Sequence, residues 1–433
     1  MAGRKSSSAR ASALRVISLT LKGQDLQAAL NRELNTRLFS DPDRHLTTQL
    51  SYGFFRYQLR LIYILSRFMT QKVDSLPGPI QRALCLGIYE ICFLSRVPDF
   101  ATVHWHVQQI KKIYSSKLGG LTNAVLRRTC REREALLRRD FYLQDHPEEP
   151  TFLSRYFACP EWIVRLCLDT YGRQATQTLL DKSLHPPPVG LRLNPFSPQG
   201  ADLYRQWSNQ GSVSKDAPWG LALSSAPDKS IRWAEGKGLL TRQSLAAQQA
   251  LGRERPNSWP QPIWDACSGR GLKTGQLLEL GCQEVWASDL HAHKVSACRA
   301  EILRLHLPDI FLFAADATKP PLAGNRAQSI LLDVPCSGLG VLSRRPDIKA
   351  KRRPQDLSAL TRLQGSMLRA CLSALPRGGL LVYMSCTLCP QENENIIRTV
   401  MDQTSGRAKV RSMHLPDPTS GLGEYFFSSS IQV

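Results

Sequence analysis

The sequence predicts an all-α N-terminal region and a C-terminal α/β region with a doubly wound parallel sheet, joined by a small α+β unit. Three observations carry this prediction. Glycine and proline are sparse in the apolar-periodic segments from about Ser12 to Arg139. Short apolar runs alternate with turns between Val189 and Gly238. From Trp259 onward, short strand-like runs alternate with helical patterns, the rhythm of a parallel sheet. A chain of 433 residues has room for two or three domains. The expected boundaries are 1–142 for the helical domain, 151–238 for the small unit and 239–433 for the α/β domain.

The helical region opens with Leu14, Ile17 and Leu21 at amphipathic spacing, and Leu59, Ile62, Tyr63, Leu65 and Phe68 repeat the pattern. Leu76-Pro77-Gly78-Pro79 breaks it, Arg82 to Leu94 resumes it, and Val97-Pro98 ends it. Lys111, Lys112, Lys117, Arg127, Arg128, Arg131, Arg133, Arg138 and Arg139 follow, which is either one basic face or a scattered solvated surface. The acidic, proline-containing stretch 143–150 suits a linker. A helix is expected from Pro160 to about Thr178, a break at Pro186-Pro187-Pro188, a strand over 189–194 and a helix over 239–251. In the last region strands are expected at 262–265, 284–288, 310–314, 329–332 and 379–384. Helices are expected at 273–280, 291–305, 355–375 and 392–403.

Charge narrows the function. Lys and Arg number 56 against 36 Asp and Glu, a net +20. Such an excess attracts polyanions, nucleic acid first and anionic membrane second, unless it is only a solvated surface. No apolar run approaches the ~20 residues of a membrane span. The basic start, MAGRKSSSARAS, lacks the apolar stretch of a secretory signal and reads as a short disordered arm. A cytoplasmic protein is expected. Most of the 12 cysteines fall irregularly, several in apolar runs (Cys85, Cys92, Cys167, Cys371), as small buried hydrophobes of a reducing compartment do. The one CxxC pair, Cys386 and Cys389, leaves no zinc spacing, so no metal is expected.

Chemistry-bearing residues gather at the expected strand ends, where doubly wound sheets bind ligands. The first end runs Asp265-Ala266-Cys267-Ser268-Gly269-Arg270-Gly271-Leu272-Lys273-Thr274, and its glycines let backbone approach a ligand. It lacks the spacing of a phosphate loop. Asp289 ends the next strand, about 20 residues on, where a carboxylate can accept from ribose hydroxyls. Asp316 follows the third, within reach of an adenine amino group. Each aspartate is alternatively a cap or turn residue. The fourth end carries Asp333-Val334-Pro335-Cys336, and the fifth Ser385-Cys386-Thr387 with Glu392-Asn393-Glu394 after it. A strand-end cysteine opening on a cleft can act as a thiolate nucleophile where its pKa is lowered.

These motifs resemble the Sun (Fmu) family of 16S ribosomal RNA cytosine-5 methyltransferases over nearly the whole chain. Residues 82–90 (RALCLGIYE) and 122–127 (TNAVLR) are similar to a NusB-like RNA-binding domain. Pro160-Glu161-Trp162 and Arg192-Leu193-Asn194 match the linker, and DVPCSGLG, RRPDIK and SCTLCPQENE match the catalytic region. The resemblance implies a Rossmann-like S-adenosylmethionine methyltransferase domain acting on RNA, with 16S ribosomal RNA as substrate and a monomer as default. By position it implies that the loop from Cys267 to Lys273 (with Ser268, Gly269, Arg270, Gly271 and Leu272) holds the methionine part of S-adenosylmethionine. Asp289 would bind the ribose and Asp316 lie beside the adenine. Asp333 would face both cofactor and base, and Lys273 would position it. Cys386 would be the nucleophile and Cys336 would assist product release. Family members that act on RNA keep both cysteines and use the later one, whereas relatives acting on DNA use the earlier. The chain departs from the family's CAAPGGKT loop, reading CSGRGLKT, with Arg270 in place of proline and Leu272 in place of glycine. Val334 and Ala350 are further departures, and GEYFF stands where GDGFF is usual. Other readings are a non-catalytic RNA-binding protein with a degenerate methyltransferase domain, a cytosine-5 methyltransferase of transfer RNA, and a thiol redox protein using Cys386 and Cys389.

Overall fold

The structure is a computed structural model that describes residues 8–224, 228–321, 326–404 and 406–433. The basic arm lies largely outside the described residues. Contacts divide the chain into two compact units, Met1–His185 with Leu342–Arg352, and Pro186–Val341 with Arg353–Val433.

The first unit is helical, as predicted. Its helices include Ala9–Leu21, Leu26–Thr36, Asp41–Phe68, Gly78–Phe93, Asp99–Ile113, Ser116–Leu137, Glu149–Tyr156 and Glu161–Lys182. Asp25, Ser40 and Ser115 cap three of them, each accepting from a first-turn amide that would otherwise lack a partner. The buried Glu90 accepts from Arg10 at 2.7 Å and meets His106 at 2.9 Å. Of the basic cluster, Lys111, Lys112, Lys117, Arg127, Arg131, Arg138 and Arg139 are exposed. Arg128 and Arg133 pair with Glu132 and Asp99.

The boundary differs from the sequence expectation. The divide falls between His185 and Pro186, not at 143–150, because the helices over 149–182 pack with the preceding ones. The prolines at 186–188 fall at this divide. The segment Leu342–Arg352, inside the region assigned to the α/β domain, belongs to the helical unit. Arg56 donates to Ser343 O at 2.8 Å, and the buried Lys349 donates to Ser183 Oγ at 2.9 Å. Such pairings across more than 150 residues leave no local pattern.

Among its described residues the second unit holds eleven strands: β1 (Val189–Leu193), β2 (Ser212–Ser214), β3 (Ala217–Leu223), β4 (Leu240–Arg242), β5 (Ile263–Asp265), β6 (Val285–Asp289), β7 (Phe311–Ala314), β8 (Ser329–Asp333), β9 (Leu380–Ser385), β10 (Lys409–His414) and β11 (Phe427–Gln432). The first four form an antiparallel sheet in the order β2-β3-β1-β4, the core of the small α+β unit. The helix expected over 239–251 is instead β4 followed by the helix Leu245–Gly252. Leu240 pairs with Leu193, and Ser244 caps the helix by accepting from the Ala247 amide. The motif Arg192-Leu193-Asn194 is structural in this unit. Arg192, buried in β1, donates to Glu279 Oε2 at 2.5 Å and to Leu272 O at 2.6 Å. Asn194 donates to Gly238 O at 2.9 Å and Leu305 O at 2.7 Å.

The other seven strands run in the order β10-β11-β9-β8-β5-β6-β7. From β9 to β7 the sheet is parallel, as expected. At the far edge two further strands, β10 and β11, join it antiparallel. Their serines hid them from an apolar pattern. Ser428 and Ser412 hydroxyls donate to the buried Glu254 at 2.6 and 2.7 Å, so the polar strand is satisfied inside. In β8, Ile330 and Leu332 pack on one face and Leu331 on the other, so both faces are covered and the strand reads as an unbroken apolar run. The last predicted helix runs Glu394–Asp402, with a 3-10 turn at Pro390–Glu392 just before it. Among the described residues no helix is long and apolar enough to cross a membrane.

Candidate active site

The order of the parallel strands reverses beside β5, which has β8 on one side and β6 on the other. In an open α/β sheet the crevice at this switch point, outside the strands' carboxyl ends, receives the ligand. The sequence places its chemistry there. Asp265, Asp289 and Asp333 are the last residues of β5, β6 and β8.

After β5 the chain turns through Cys267, Ser268, Gly269, Arg270 and Gly271 into the helix Leu272–Glu279. Gly269 and Gly271 have φ of +57° and +82°. The Ser268 amide donates to Ser288 O at 2.8 Å, and the Gly269 amide to Asp289 Oδ2 at 3.2 Å. Asp289 therefore fastens the loop as well as facing the crevice, and its Oδ1 accepts from the His291 amide at 3.0 Å. Arg270 is exposed at the loop's tip, and Cys267 is half-buried with its thiol held well above its usual pKa by burial and by Asp265. A methyl group added at Gly269 would find no atom within 4 Å, so open space fronts the loop.

Asp265 is fully buried. Its Oδ2 accepts from Thr274 Oγ1 at 2.6 Å, while Oδ1 has no hydrogen-bond partner. Burial pushes its carboxyl up to about 7, against the opposing pull of Thr274. An unspent buried acceptor beside an open glycine loop fits a ligand with a cationic or donor head, such as the ammonium of an amino-acid moiety. Asp316 stands apart from these groups. It is exposed, and its carboxylate accepts from the Thr318 amide at 2.8 Å and hydroxyl at 2.7 Å, contacts that hold its pKa below the usual value. Those are the contacts of a turn.

Lys273, in the first turn of the helix, donates to Asp333 Oδ2 at 2.6 Å. Burial would lower the pKa of its ammonium, but the charge of Asp333 and the hydrogen bond to it outweigh burial and raise it. Asp333 pairs in register with Met384, two residues before Cys386. Cys386 follows the end of β9, Cys336 lies three residues past β8, and their sulfurs are 3.0 Å apart. Both cysteines are half-buried. Cys336 also accepts from the Cys386 amide at 3.3 Å. The hydrogen bond to Cys386, and then burial, hold the Cys336 thiol well above its usual range. Cys389 is buried and donates to Gln391 at 2.9 Å, so the close sulfur partner of Cys386 is Cys336.

The structure thus brings together Lys273, Asp333, Cys336 and Cys386, with the glycine loop and Asp289 joined by their own hydrogen bond. Sequence reasoning gave no role to Asp265, Gln364, Thr387 or Glu392. The last lay inside a quoted motif, but its burial and partners depend on residues 28 and 55 positions away. Among the described residues no cluster could hold a metal ion.

The chain is similar to proteins of known family. Residues 254–424 match the family model described as 16S rRNA methyltransferase RsmB/F, and residues 7–131 match the NusB family. The chain is 33% identical over 412 residues to ribosomal RNA small subunit methyltransferase B of Pseudomonas syringae pv. tomato, covering 93% of this chain and 88% of the relative. It is 31% identical over 386 residues to the probable ribosomal RNA small subunit methyltransferase B of Bacillus subtilis, covering 86% and 83%. In fold it is similar to the crystal structure of PH0851, with a TM-score of 0.78 at 16% identity over the full length of both chains. It is also similar to NSun6 from Pyrococcus horikoshii, with a TM-score of 0.54 at 18% identity over 63% of this chain and 98% of the other.

Proposed function

The chain belongs to the RsmB/F family of 16S rRNA methyltransferases, with a NusB family region at its N-terminal side, and we propose that it methylates carbon 5 of a cytosine in 16S ribosomal RNA through a covalent cysteine–cytosine intermediate. Ribosomal RNA methylation with S-adenosylmethionine as donor is the family's activity. The cytosine, the carbon and the thiol chemistry are our reading. The observation that carries it is the pair of sulfurs 3.0 Å apart at adjoining strand ends. Beside them, the Lys273 cation is near enough to Cys386 to respond to its charge.

Carbon 5 of cytosine is too weak a nucleophile to take a methyl group unaided. In our reading the Cys386 thiolate adds to carbon 6, and its electron pair makes carbon 5 enamine-like. Asp333, oriented by Lys273, holds the amino–N3 edge of the base, and the ammonium offsets the negative charge that addition pushes onto the ring. The loop Cys267–Lys273 would hold S-adenosylmethionine, with Asp289 for its ribose, Asp316 for its adenine and the buried Asp265 close by, and the cofactor would supply an electrophilic methyl group. The carbon 5 proton then passes to a water molecule, its bonding pair re-forms the double bond between carbons 5 and 6, and the bond from Cys386 Sγ to carbon 6 breaks with its electron pair returning to sulfur. Cys336 assists this elimination. The target base must first leave its stack, at a cost of a few kcal/mol. The exposed basic residues of the helical region 1–142 would hold phosphates without reading bases. The region 151–238 would serve as linker and 239–433 as catalytic domain, in a monomer that needs no metal.

The test is transfer of a labelled methyl group from S-adenosylmethionine to unmodified small-subunit ribosomal RNA, followed by digestion to nucleosides. Label in 5-methylcytidine is expected. Label in any other nucleoside overturns the reading, and label acquired only by transfer RNA moves the substrate.

A further inference from the structure

The two cysteines sit beyond their strands, where the sheet's ladder no longer fixes the backbone, yet their sulfurs are in contact. Part of the explanation lies in the main chain. The Val334 amide donates to Met384 O and the Gly340 amide to Cys386 O, both at 3.0 Å, so the ends of the loop 334–340 are pinned to the end of β9. Cys336 and Ser337 lie between those pins.

What holds the middle is one carboxylate. Glu392 is fully buried. Its Oε1 accepts from the Ser337 amide at 2.8 Å, and its Oε2 accepts from the Ser337 hydroxyl at 2.5 Å. Oε2 also accepts from the Thr387 hydroxyl at 3.1 Å. Gln364 donates to Oε1 at 2.9 Å and, at the same distance, to Pro335 O on the other side of Cys336. Glu392 is itself seated, since its carbonyl accepts from the Tyr383 hydroxyl at 2.8 Å. Ser337 and Thr387 are the residues directly after the two cysteines. We propose that Glu392 is a positioning residue that clamps the backbone beyond both Cys336 and Cys386 and so sets the separation of the two sulfurs for the reaction.

This deepens the proposed function and rests on it for the roles of the cysteines, though the clamp itself can be read without any methyl transfer. The chemistry of the clamp points beyond scaffolding. All four donors to this buried carboxyl group are neutral, and no cation stands among these contacts. That arrangement costs stability which a neutral clamp would spare. The neighbouring Asn393 is such a neutral clamp, accepting from Ser385 Oγ at 2.5 Å and donating to Thr387 O at 3.1 Å. An anion at Glu392 has an electrostatic effect that an amide lacks. Its charge adds to the hydrogen bond that Cys336 makes to the Cys386 sulfur and to burial in disfavouring ionisation of Cys336. Of the pair, Cys336 then keeps its proton and can donate S–H to the Cys386 sulfur.

Two variants test the clamp. Glu392→Gln keeps the size of the side chain, removes the charge and turns an amide NH₂ toward the donors. Glu392→Ala removes the clamp altogether. Retained binding of S-adenosylmethionine reports that each variant is folded. Oxidation of the full-length protein with the azo compound diamide reads the sulfur separation, because two thiols lose their protons and electrons to the azo bond and join as a disulfide. We expect the Cys336–Cys386 disulfide to form at least tenfold more slowly in Glu392→Ala than in wild type. In Glu392→Gln, alkylation of Cys336 by iodoacetamide, followed by mass spectrometry, is expected to move to lower pH. Turnover should fall at least tenfold with KM for RNA within twofold. Unchanged disulfide rates, or a wild-type alkylation profile in Glu392→Gln, would overturn the clamp. Should Glu392→Ala fail to fold, the alkylation profile of Glu392→Gln decides alone. Neither readout depends on methyl transfer, so a failure of the cytosine-5 reading leaves the clamp's own result intact.

Discussion

Replacing Gly271 with alanine perturbs the loop in front of the cofactor crevice at a point where the structure allows the cost to be worked out. Gly271 has φ +82°, and a Cβ there would lie 2.6 Å from Cys298 Sγ and 3.2 Å from Cys298 Cα. Cys298 is fully buried on the helix Ala292–Arg304, so it has little freedom to retreat. The left-handed conformation costs an L-residue about 1–2 kcal/mol. Overpacking a closed core adds about 1–3 kcal/mol. The sum is about 2–5 kcal/mol, a fall in Tm of roughly 4–20 °C for a unit of this size. Gly269→Ala is the matched comparison. Its φ of +57° brings the conformational cost, but no atom lies within 4 Å, so about 1–2 kcal/mol is expected. Its Cβ enters the space fronting the loop, and S-adenosylmethionine should bind at least tenfold more weakly. Urea denaturation and calorimetric titration measure both quantities. Cys298→Ala in the Gly271→Ala background should recover part of the loss, a coupling of about 1 kcal/mol or more. Equal destabilisation by the two glycine variants, with no coupling to Cys298, would refute the steric reasoning.

The remaining predictions concern buried charge in the same unit. Asp265 holds its proton more tightly in the folded protein than in the unfolded chain, its carboxyl standing at about 7 against the ordinary 3.8. The stability this contributes is complete below about pH 4 and is lost as pH rises through about 7, at most about 4 kcal/mol. Urea unfolding of Asp265→Asn should therefore show a flatter decline between pH 5 and 8 than wild type, and parallel profiles would contradict this. Arg192→Ala strands the buried Glu279 carboxylate and frees Leu272 O at the start of the loop helix. A loss of about 3–5 kcal/mol is expected in denaturant unfolding. A change below about 1 kcal/mol would show that the pair is dispensable.

Most of the fold could be read in the sequence because its signals are local. The helices of the first unit carry their own apolar periodicity and caps, and the parallel strands, covered on both faces, read as unbroken apolar runs. What escaped depended on distant partners. β10 and β11 carry serines that only the buried Glu254, more than 150 residues away, makes suitable for an interior strand. β4 looked helical because Leu240 finds its partner in Leu193. Leu342–Arg352 packs with the helical unit because Ser183 and Arg56 hold it, contacts no local pattern announces. The site followed the same division. Strand-end aspartates and cysteines stand out once strands are placed, so Lys273, Asp333, Cys336 and Cys386 were legible as one group. Asp265 and Glu392 were not, since an acidic residue shows its burial only when its neighbours are known. Asp316 was legible as a strand-end carboxylate, but its observed hydrogen bonds stay within its own turn.

The central claim is that Cys386 bonds to the target base and Cys336 helps to release it. The measurement that addresses it most directly is a search for a protein–RNA adduct that survives a denaturing gel, after incubation of each cysteine variant with S-adenosylmethionine and unmodified small-subunit ribosomal RNA. The account predicts a stable adduct with Cys336→Ala, and none with Cys386→Ala or with the double variant. An adduct or methyl transfer that persists in Cys386→Ala would contradict it.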